Sequence, residues 1–405
     1  MSSKGNSRSL LAEISDSLSL REKSMLLRTL RPLQGQQAGH CNRAGKSLIN
    51  LSHNDYLGLA RHPKVVEAAQ QATAQWGTGA EASRLITGTL QEHELFEQEY
   101  AEFKGASSCL LFPTGYQASL SVFSALAKLG DNVYCDRLVH SCLVDGIALS
   151  GARMRVFPHQ NMERLYELLV KDNELPGGGR TWICVDGVYS MDGDIAPLPQ
   201  LLEMCKTFGA YLVVDDAHGT GMIGETGRGI FEHFGINFKE HEEYTILIST
   251  LSKGLGSQGG AVCCHPTIRQ QLINTAKPFI FTTALAPSCA AAARAALQVI
   301  KSTPSLVKGL QQRWQQALKH FRDAGFNCLS SQTGIIPILV GEEGDALYYA
   351  EQLEDQGLLL LPIRPPTVPK GTSRLRLSVN MLLTDAEWSS AVEQIPLILK
   401  QKNKL

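Results

Sequence analysis

The sequence of 405 residues predicts an α/β protein with a large, mostly parallel sheet and a smaller C-terminal α+β domain. Between residues 105 and 265, short apolar runs rich in β-branched residues alternate with helical patterns, as in βαβ units with helices on both faces of the sheet. Further on, Pro337 interrupts a strand pattern, which favours a sheet edge or a bulge. We expect an N-terminal helical arm over residues 1–50, a large domain over 51–290 and a small domain over 291–405.

The composition is that of a soluble globular protein, with 43% hydrophobic and 19% charged residues. Lys and Arg (38) nearly balance Asp and Glu (39), so no net field attracts nucleic acid or an anionic membrane, and neither is a predicted partner. No segment approaches the roughly 20 apolar residues of a membrane span. Ten scattered cysteines without a Cys-x-x-Cys pair favour reduced thiols over disulfides or zinc, and Glu13 and Asp16 argue against a transit peptide. We predict a cytoplasmic protein without a metal.

Leucine and isoleucine side chains recur at near-helical spacing from about Ser9 to Leu30. The stripe comprises Leu10, Leu11, Ile14, Leu18, Leu26, Leu27 and Leu30. An arm of this kind has no core of its own, so we expect its apolar face to pack against the main body or a second subunit. A short strand from Leu48 then runs into a polar turn at Asn54, and a helix is predicted to begin near His62.

Six apolar runs, rich in β-branched residues, predict the strands of the large domain. They cover Ser108–Phe112, Asn132–Asp136, Arg153–Phe157, Thr181–Val185, Tyr211–Asp215 and Tyr244–Ser249. Ligands of open α/β sheets bind at the carboxyl ends of the strands, so the residues that follow these runs are candidates for a site.

Two of these strand ends offer groups for a flat, phosphorylated ligand. The strand ending at Phe112 runs into a glycine turn that opens a helix, whose free backbone N–H groups and positive dipole end suit a phosphate. We therefore predict phosphate contacts from Thr114, Gly115 and Tyr116. His140 follows the next strand, where its imidazole could stack on a flat ring, although a histidine satisfied in the core or at the surface fits the pattern as well.

The strand Tyr211–Asp215 ends in an acid, and His218 follows three positions later. A carboxylate in this position can keep a pyridine nitrogen protonated. We assign Asp215 to that role because it is the first polar residue at the strand end, and we expect Asp216 to cap or bridge within the turn. Taken alone, the Asp-Asp-Ala-His tetrapeptide also fits a metal cluster or an ordinary exit from a strand.

Lys253 follows a strand that reads as buried on both faces, and a glycine-dense loop comes after it. A lysine that is partly desolvated at a sheet edge loses some preference for the charged form, which frees its amine for a Schiff base with a carbonyl. Taken alone, this stretch is better explained by a solvated lysine beside a glycine turn. The acid-ended strand at Asp215 favours a pyridoxal 5'-phosphate (PLP) site instead.

The C-terminal region predicts helices near 290–301, 305–324 and 344–356 and strands at 335–340 and 358–363. The last strand, 374–380, alternates strictly and places Arg374 and Arg376 on one face. A guanidinium held on a strand is suited to bidentate capture of a carboxylate. The alternative is that this face is the exposed side of a two-faced strand.

With these motifs in place, the sequence resembles the α-oxoamine synthases, fold-type I PLP enzymes that condense an amino acid with an acyl thioester. The resemblance covers nearly the whole chain and is carried by Asn54-Asp55-Tyr56-Leu57-Gly58, Ser190-Met191-Asp192-Gly193-Asp194, Asp215-Asp216-Ala217-His218-Gly219-Thr220-Gly221 and Gly227-Arg228-Gly229. It implies a large domain built on a seven-stranded type of sheet and a homodimer with shared active sites.

The resemblance also implies roles for individual residues. Lys253 would hold the Schiff base, with Asp215, His218 and His140 as further catalytic residues. The implied cofactor contacts are Gly115, Tyr116, His140, Ser190, Asp215, His218, Thr250, Lys253 and, from the neighbouring subunit, Thr283. The implied substrate contacts are Arg28, Asn54, Arg364, Thr367 and Arg376.

Within the family, the segment from Ile363 to Pro369 and the Arg374-Leu375-Arg376 strand resemble the branch that forms 8-amino-7-oxononanoate from L-alanine and pimeloyl-CoA or a pimeloyl-acyl-carrier protein, a step of biotin synthesis. Asp186, where this branch often has Glu, and Leu251-Ser252 before the lysine depart from the pattern, which leaves acyl-chain specificity open. The alternatives are a glycine C-acetyltransferase, a signal-molecule synthase or a non-catalytic scaffold of the same fold.

Overall fold

The structure, a computed structural model, describes residues 8–37, 39–173 and 178–400. Its N-terminal part consists of α1 Leu10–Lys23 and the antiparallel strands β1 Gln34–Gln37, β2 His40–Arg43 and β3 Lys46–Asn50. The Ser9 hydroxyl caps α1, and the helix ends at Ser24, where Met25 adopts a left-handed φ of 55°. The prediction of a helix as far as Leu30 is therefore wrong beyond residue 23, and the predicted helical arm also contains the three strands β1, β2 and β3.

The apolar face of α1 does not pack against the rest of its own chain. No residue of the helix is buried, and Leu11 is 77% exposed. The sequence left two possibilities for this apolar face, packing against the main body of the chain or against a second subunit. The structure excludes the first for this helix, and the second stays a prediction.

The large sheet follows two helices, α2 Pro63–Trp76 and α3 Gln91–Lys104. Its strands are β4 Ser108–Phe112, β5 Asn132–Asp136, β6 Arg153–Phe157, β7 Thr181–Asp186, β8 Tyr211–Asp215, β9 Thr245–Thr250 and β10 Gly260–Cys264. The helices between and after them are α4 Gly115–Leu126, α5 Ser141–Ser150, α6 Met162–Asn173, α7 Leu198–Phe208, α8 Ile230–His233, α9 Pro266–Thr275 and α10 Lys277–Ile280.

The seven strands lie in the order β4-β10-β9-β8-β7-β5-β6, and only β10 runs antiparallel to its neighbours. This arrangement confirms the predicted fold class. The strand β10 is the one that the sequence patterns did not identify, because its short apolar run follows directly on the glycine-dense loop. In the pairing of β7 with β8, Asp186 lies opposite Asp215, so two acids stand side by side at the carboxyl edge of the sheet.

The C-terminal part contains α11 Pro287–Ser302, α12 Pro304–Asp323, β11 Ile335–Gly341, α13 Glu343–Asp355, β12 Leu358–Leu359, β13 Pro362–Ile363, β14 Ser373–Ser378 and α14 Asp385–Leu399. A three-stranded sheet has the order β11-β14-β13, and β12 instead extends the N-terminal sheet through β3. Pro337 lies on the edge strand β11, as predicted. The predicted boundary at 290/291 falls within α11, and the division into domains stays a prediction.

Both faces of the large sheet are covered by apolar side chains. Along β8, Leu212 and Val214 pack into one core cluster and Val213 into the other, because successive side chains of a strand point to opposite faces. The first cluster continues into the C-terminal part through residues such as Leu375 and Leu377 of β14. Within the described ranges, no helix has the length and apolar character that crossing a membrane requires.

His159 joins three segments at the carboxyl edge of the sheet. Its Nδ1 lies 3.0 Å from Asp136 Oδ1, at the end of β5, and its Nε2 lies 2.7 Å from Asp194 Oδ2. Burial alone would lower the pKa of His159, but hydrogen bonds and charge from the two carboxylates outweigh it and raise the pKa to about 10. Ser330, in the C-terminal part of the chain, also donates a hydrogen bond to Asp194. The protonated imidazole therefore stabilises the loop of Asp194, which contacts both the end of β5 through His159 and the C-terminal part through Ser330.

This ion cluster predicts a pH dependence of stability. Because the pKa of His159 is raised above its ordinary 6.5 to about 10, its contribution is fully present below pH 6.5 and is lost as the pH rises towards 10. We expect His159→Gln to lower the free energy of unfolding by about 1.5–3 kcal/mol at pH 6.5, the scale of hydrogen bonds to charged groups. The difference from the wild type should shrink between pH 7 and 9.5 in urea unfolding.

His233→Gln is the matched control. Burial lowers the pKa of His233, so its imidazole is neutral in the folded protein over this range, and its effect on the free energy of unfolding should stay nearly constant above about pH 7.5. A constant difference between His159→Gln and the wild type from pH 6.5 to 9.5 would contradict a protonated His159.

Candidate active site

A cavity of about 260 Å³ opens at the carboxyl edge of β8 and β9. Eight of the predicted cofactor contacts line it: Gly115, Tyr116, His140, Ser190, Asp215, His218, Thr250 and Lys253. The other lining residues are Thr114, Cys142, Asp186, Ala217, Ile248, Ser249 and Ser252. The structure thus brings together side chains from six separate stretches of the sequence.

Lys253 presents its amine to the cavity from the turn between β9 and β10. Its Nζ lies 2.9 Å from His218 Nε2. Burial lowers the pKa of Lys253, the negative charge of Asp215 opposes this shift, and the nearby Arg376 guanidinium adds to it. The net effect favours the neutral amine, which is the form that attacks a carbonyl carbon.

Asp215 and Asp216 point to different surroundings, although they are adjacent. Asp215 lines the cavity, and its Oδ1 accepts a hydrogen bond from the Ala217 N–H (3.0 Å). Asp216 is buried away from it, where Oδ2 lies 2.8 Å from Lys104 Nζ and Oδ1 accepts from the Ile230 N–H (3.2 Å). Asp216 therefore bridges within the loop, as predicted, and leaves Asp215 as the acid of the cavity.

The loop after β8 wraps closely around the Asp216 carboxylate. A Cβ atom at Gly219 would stand 1.9 Å from Asp216 Oδ1, and one at Gly229 would stand 1.8 Å from Oδ2. Only glycine fits at these two positions. Among the residues that the structure describes, no group of three or more His, Cys, Asp or Glu side chains could hold a metal ion, so the Asp-Asp-Ala-His stretch forms no metal cluster.

His140 caps the N-terminus of α5, and its ring lines the cavity in an orientation that hydrogen bonds hold. Its backbone N–H donates to Asp186 Oδ1 (3.1 Å), and its ring Nδ1 accepts from the Cys142 N–H (3.3 Å). Burial lowers the pKa of His140, which favours the neutral, flat imidazole. Burial, reinforced by the charge of Asp215, raises the pKa of Asp186 well above its usual range. Asp186, like Asp215, is the last residue of its strand, and this position is the feature of the sequence that could have identified Asp186 as a second acid of the cavity.

The N-terminus of α4 forms one wall of the cavity. Thr114 Oγ1 accepts from the Gln117 N–H (3.1 Å), so the hydroxyl caps the helix. Gly115 packs against Thr250, where an added Cβ would stand 3.2 Å from the Thr250 Oγ1. The Tyr116 hydroxyl bonds to the Asp145 carboxylate. The free backbone N–H groups at this N-terminus suit an anion, and the phosphate contacts of Thr114, Gly115 and Tyr116 stay a prediction.

Arg376 lies beside the cavity and is buried on the central strand β14, so the alternative of an exposed strand face is excluded. Its Nε donates to the Ser190 carbonyl oxygen (2.7 Å), and its Nη1 donates to Asn54 Oδ1 (3.2 Å). Arg374, two residues earlier, instead pairs with Asp192. Of the two arginines on this face, Arg376 is the one that reaches residues of the cavity.

The remaining predicted substrate contacts form a second cluster. Arg28 Nη2 donates to Thr367 Oγ1 (3.2 Å), and the Arg364 guanidinium donates to the carbonyl oxygens of Met25 and Leu27. Burial and the neighbouring Arg28 charge lower the pKa of Arg364. The structure keeps Arg28, Arg364 and Thr367 together, but none of them lines the cavity of Lys253.

Thr283 also lies outside the cavity of its own chain. It is exposed and pairs with Ser83 in an isolated antiparallel bridge. Its predicted reach into a neighbouring subunit stays a prediction.

Tyr56 is a site residue that sequence reasoning did not identify. Its side chain is buried, and its hydroxyl lies 2.6 Å from His218 Nδ1. The feature of the sequence that could have indicated Tyr56 is its hydroxyl-bearing aromatic side chain, two positions after Asn54 in the same polar turn. Since 162 residues separate Tyr56 from His218, no local pattern pairs them.

The donor set of the cavity fits PLP. Lys253 supplies an amine of lowered pKa for the aldehyde, Asp215 supplies a carboxylate for the pyridine nitrogen, and the N-terminus of α4 supplies donors for the phosphate. His140 adds a neutral ring of the kind that stacks on a flat cofactor. These groups are assembled at one edge of the sheet without any rearrangement of the chain.

Comparisons with known proteins agree with this site. Residues 46–395 match the family model for class I and II aminotransferases. An 8-amino-7-oxononanoate synthase of Cellvibrio japonicus is 44% identical over 93% of each chain, and one of Geobacter sulfurreducens is 41% identical over 97% of this chain and 98% of its own.

Solved structures give the same result. A serine palmitoyltransferase of S. paucimobilis with a bound PLP–myriocin aldimine superposes with a TM-score of 0.90 at 28% identity, covering 98% of this chain and 100% of its own. An 8-amino-7-oxononanoate synthase of Francisella tularensis has a TM-score of 0.73 at 26% identity, covering 88% and 99%. The chain therefore belongs to the class I and II aminotransferase family, in its 8-amino-7-oxononanoate synthase branch.

Proposed function

We propose that this protein catalyses the PLP-dependent, decarboxylative condensation of L-alanine with pimeloyl-CoA or a pimeloyl-acyl-carrier protein to 8-amino-7-oxononanoate. The observation that carries the proposal is the buried Lys253 amine, 2.9 Å from His218, in a cavity that also holds Asp215 and adjoins Arg376. The names of relatives at 36–44% identity support the choice of substrates. The assembly of Lys253, Asp215, His218 and His140 around one cavity argues against a non-catalytic scaffold.

PLP bound in this cavity supplies an electron sink for the charge that is left when a bond to the amino acid Cα breaks. Asp215 is placed to hold a proton on the pyridine nitrogen, and His140 is placed to pack on the ring. Lys253 would hold the aldehyde group of PLP, and its amine, whose pKa is lowered, would be placed to accept the α-proton of the amino acid. Each of these steps uses a group that lines the same cavity.

Arg376 and Asn54 are the proposed binding site for the alanine carboxylate. The guanidinium is buried, and one of its donors already lies 3.2 Å from Asn54 Oδ1. A planar guanidinium binds a carboxylate with two parallel donors, which also fixes the orientation of the substrate. The cluster of Arg28, Arg364 and Thr367 is the proposed site for the acidic acyl donor, since two cations adjoin a hydroxyl there.

Incubation of the purified, PLP-loaded protein with a panel of amino acids and acyl thioesters tests the function, with product masses as the readout. We expect L-alanine with a pimeloyl thioester to give 8-amino-7-oxononanoate and free thiol. Lys253→Ala should abolish turnover together with the visible absorption of the lysine-bound cofactor. A preference for glycine and acetyl-CoA would replace the proposal with a glycine C-acetyltransferase.

Replacing Arg376 should separate substrate binding from cofactor binding. Arg376→Lys keeps the charge but loses the planar fork, so we expect the apparent Kd for L-alanine to rise by a factor that corresponds to about 1.5–3 kcal/mol. The visible spectrum before alanine is added should be unchanged, because the proposed cofactor contacts lie on other residues. Spectral titration with L-alanine measures the effect.

Arg364→Lys is the matched control for this titration, since Arg364 lies in the other cluster. If Arg376→Lys binds alanine as the wild type does while Arg364→Lys does not, the carboxylate site belongs to Arg364.

We also propose that two copies of the chain share their active sites through an apolar patch formed by Leu85, Ile86 and Phe281. Ile86 is 75% and Phe281 is 80% exposed. The bridge between Ser83 and Thr283 joins the two loops that carry the patch. A second copy that covers this patch would bring Thr283 to the boundary between subunits, next to the helix that is proposed to bind the phosphate.

A charge in this patch should weaken both the assembly and the cofactor site. We expect Phe281→Asp to shift the protein from dimer to monomer in light scattering and to raise the Kd for PLP at least about tenfold, since an unpaired charge in an apolar interface is costly. Leu129→Asp, at an 85% exposed position at the opposite edge of the sheet, is the control. A dimer of unchanged stability in Phe281→Asp would place the interface elsewhere.

A further inference from the structure

A continuous chain of hydrogen bonds connects the proposed carboxylate site to Lys253. Arg376 Nη1 donates to Asn54 Oδ1 at 3.2 Å, and the Tyr56 hydroxyl lies 3.3 Å from the same oxygen. The same hydroxyl lies 2.6 Å from His218 Nδ1, and His218 Nε2 lies 2.9 Å from Lys253 Nζ. Tyr56 stands in the middle of this chain, and its side chain is buried.

The Tyr56 hydroxyl has one proton and two neighbouring acceptors. His218 Nδ1 is nearer than Asn54 Oδ1, 2.6 Å against 3.3 Å, and the Asn54 oxygen already accepts a hydrogen bond from Arg376. The short contact is therefore the stronger hydrogen bond. In the Nε2–H tautomer of His218, Nδ1 accepts this hydrogen bond and the Tyr56 hydroxyl donates it.

His218 is neutral in these surroundings. Burial lowers its pKa well below the ordinary value, and the positive charge of Arg376 lowers it further. A neutral imidazole carries one N–H, and the partner of one ring nitrogen determines whether the other bears the proton. An acceptor at Nδ1 leaves the proton on Nε2, which faces Lys253.

We propose that Tyr56 is a positioning residue that holds His218 in the Nε2–H tautomer, so that His218 donates a hydrogen bond into the cavity. The acceptor is the Lys253 amine nitrogen in the unliganded site, and it is an oxygen of the cofactor or substrate when one is bound. The identity of that oxygen rests on the proposed function. The tautomer itself is a property of the protein alone.

The cofactor-free protein provides the direct test. Long-range ¹H–¹⁵N NMR of protein with ¹⁵N-labelled histidine distinguishes the two tautomers, and the loss of signals in His218→Asn assigns them. We expect the Nε2–H pattern for His218 in the wild type and its partial or complete replacement by the Nδ1–H pattern in Tyr56→Phe. An Nδ1–H pattern in the wild type overturns the proposal.

Tyr100→Phe is the matched control. Tyr100 is also buried, but its hydroxyl bonds to Thr220 Oγ1 (3.1 Å), so its loss removes a buried hydroxyl without touching His218. We expect the His218 signals of Tyr100→Phe to match those of the wild type. Equal changes in both variants would show a general loosening of the core and would overturn the specific role of Tyr56.

The PLP-loaded enzyme gives a second, independent readout. We expect Tyr56→Phe to lower kcat about tenfold, the scale of one lost hydrogen bond at a polar site, and to leave KM for L-alanine within about twofold. In a His218→Asn background, Tyr56→Phe should cause no additional loss, because both changes interrupt the same chain. Additive losses would show that Tyr56 acts independently of His218. A protein that condenses none of the substrates, yet shows the predicted tautomer, would refute the proposed function and leave the positioning role intact.

Discussion

The buried ion pair between Lys104 and Asp216 is the interaction on which the active-site edge of the sheet depends. Lys104 is the last residue of α3, and its Nζ also donates to the Arg228 carbonyl oxygen (2.6 Å), so one amine holds both ends of the loop that follows β8. Both side chains of the pair are at most 1% exposed. Such a pair contributes little net stability against an apolar pair of the same shape, but loss of one partner leaves an uncompensated buried charge. Its value here is geometric, because it directs Asp216 inwards and leaves Asp215 and His218 at the cavity.

The electrostatics of the cavity follow from that arrangement. Two basic side chains, Lys253 and Arg376, face two acids at the ends of β7 and β8. Asp186 is buried, and the charge of Asp215 raises its pKa further, so one negative charge on the pair is the favoured state. Burial dominates at Lys253 and lowers its pKa, although the charges of Asp215 and Asp186 oppose the shift. A neutral amine beside a neutral histidine is the protonation state that carbonyl chemistry requires.

Much of the fold and of the cavity was predictable from the sequence, because the relevant signals are local. A parallel strand buried on both faces reads as an apolar run, and the first polar residue after it must lie at the carboxyl edge, which locates Asp215 and His140. The pairing of Tyr56 with His218 was not predictable in this way, since it depends on how two distant turns meet. The end of α1 was not predictable either. The apolar spacing continues past Ser24, whereas the left-handed backbone conformation of Met25 ends the helix.

The separation of the two arginine clusters has a consequence for how a long substrate could be bound. Arg376 belongs to a buried strand and bonds to residues of the cavity, whereas Arg28 and Arg364 join the segment after α1 to the loop of Pro365. The second cluster therefore depends on the position of the N-terminal arm, whose helix has no buried residue within its own chain. If a second subunit covers that helix, assembly would hold the arm and with it the proposed acyl-donor cluster. Cofactor chemistry would then depend on the core of one chain, whereas recognition of the acyl donor would depend on the contact between two chains.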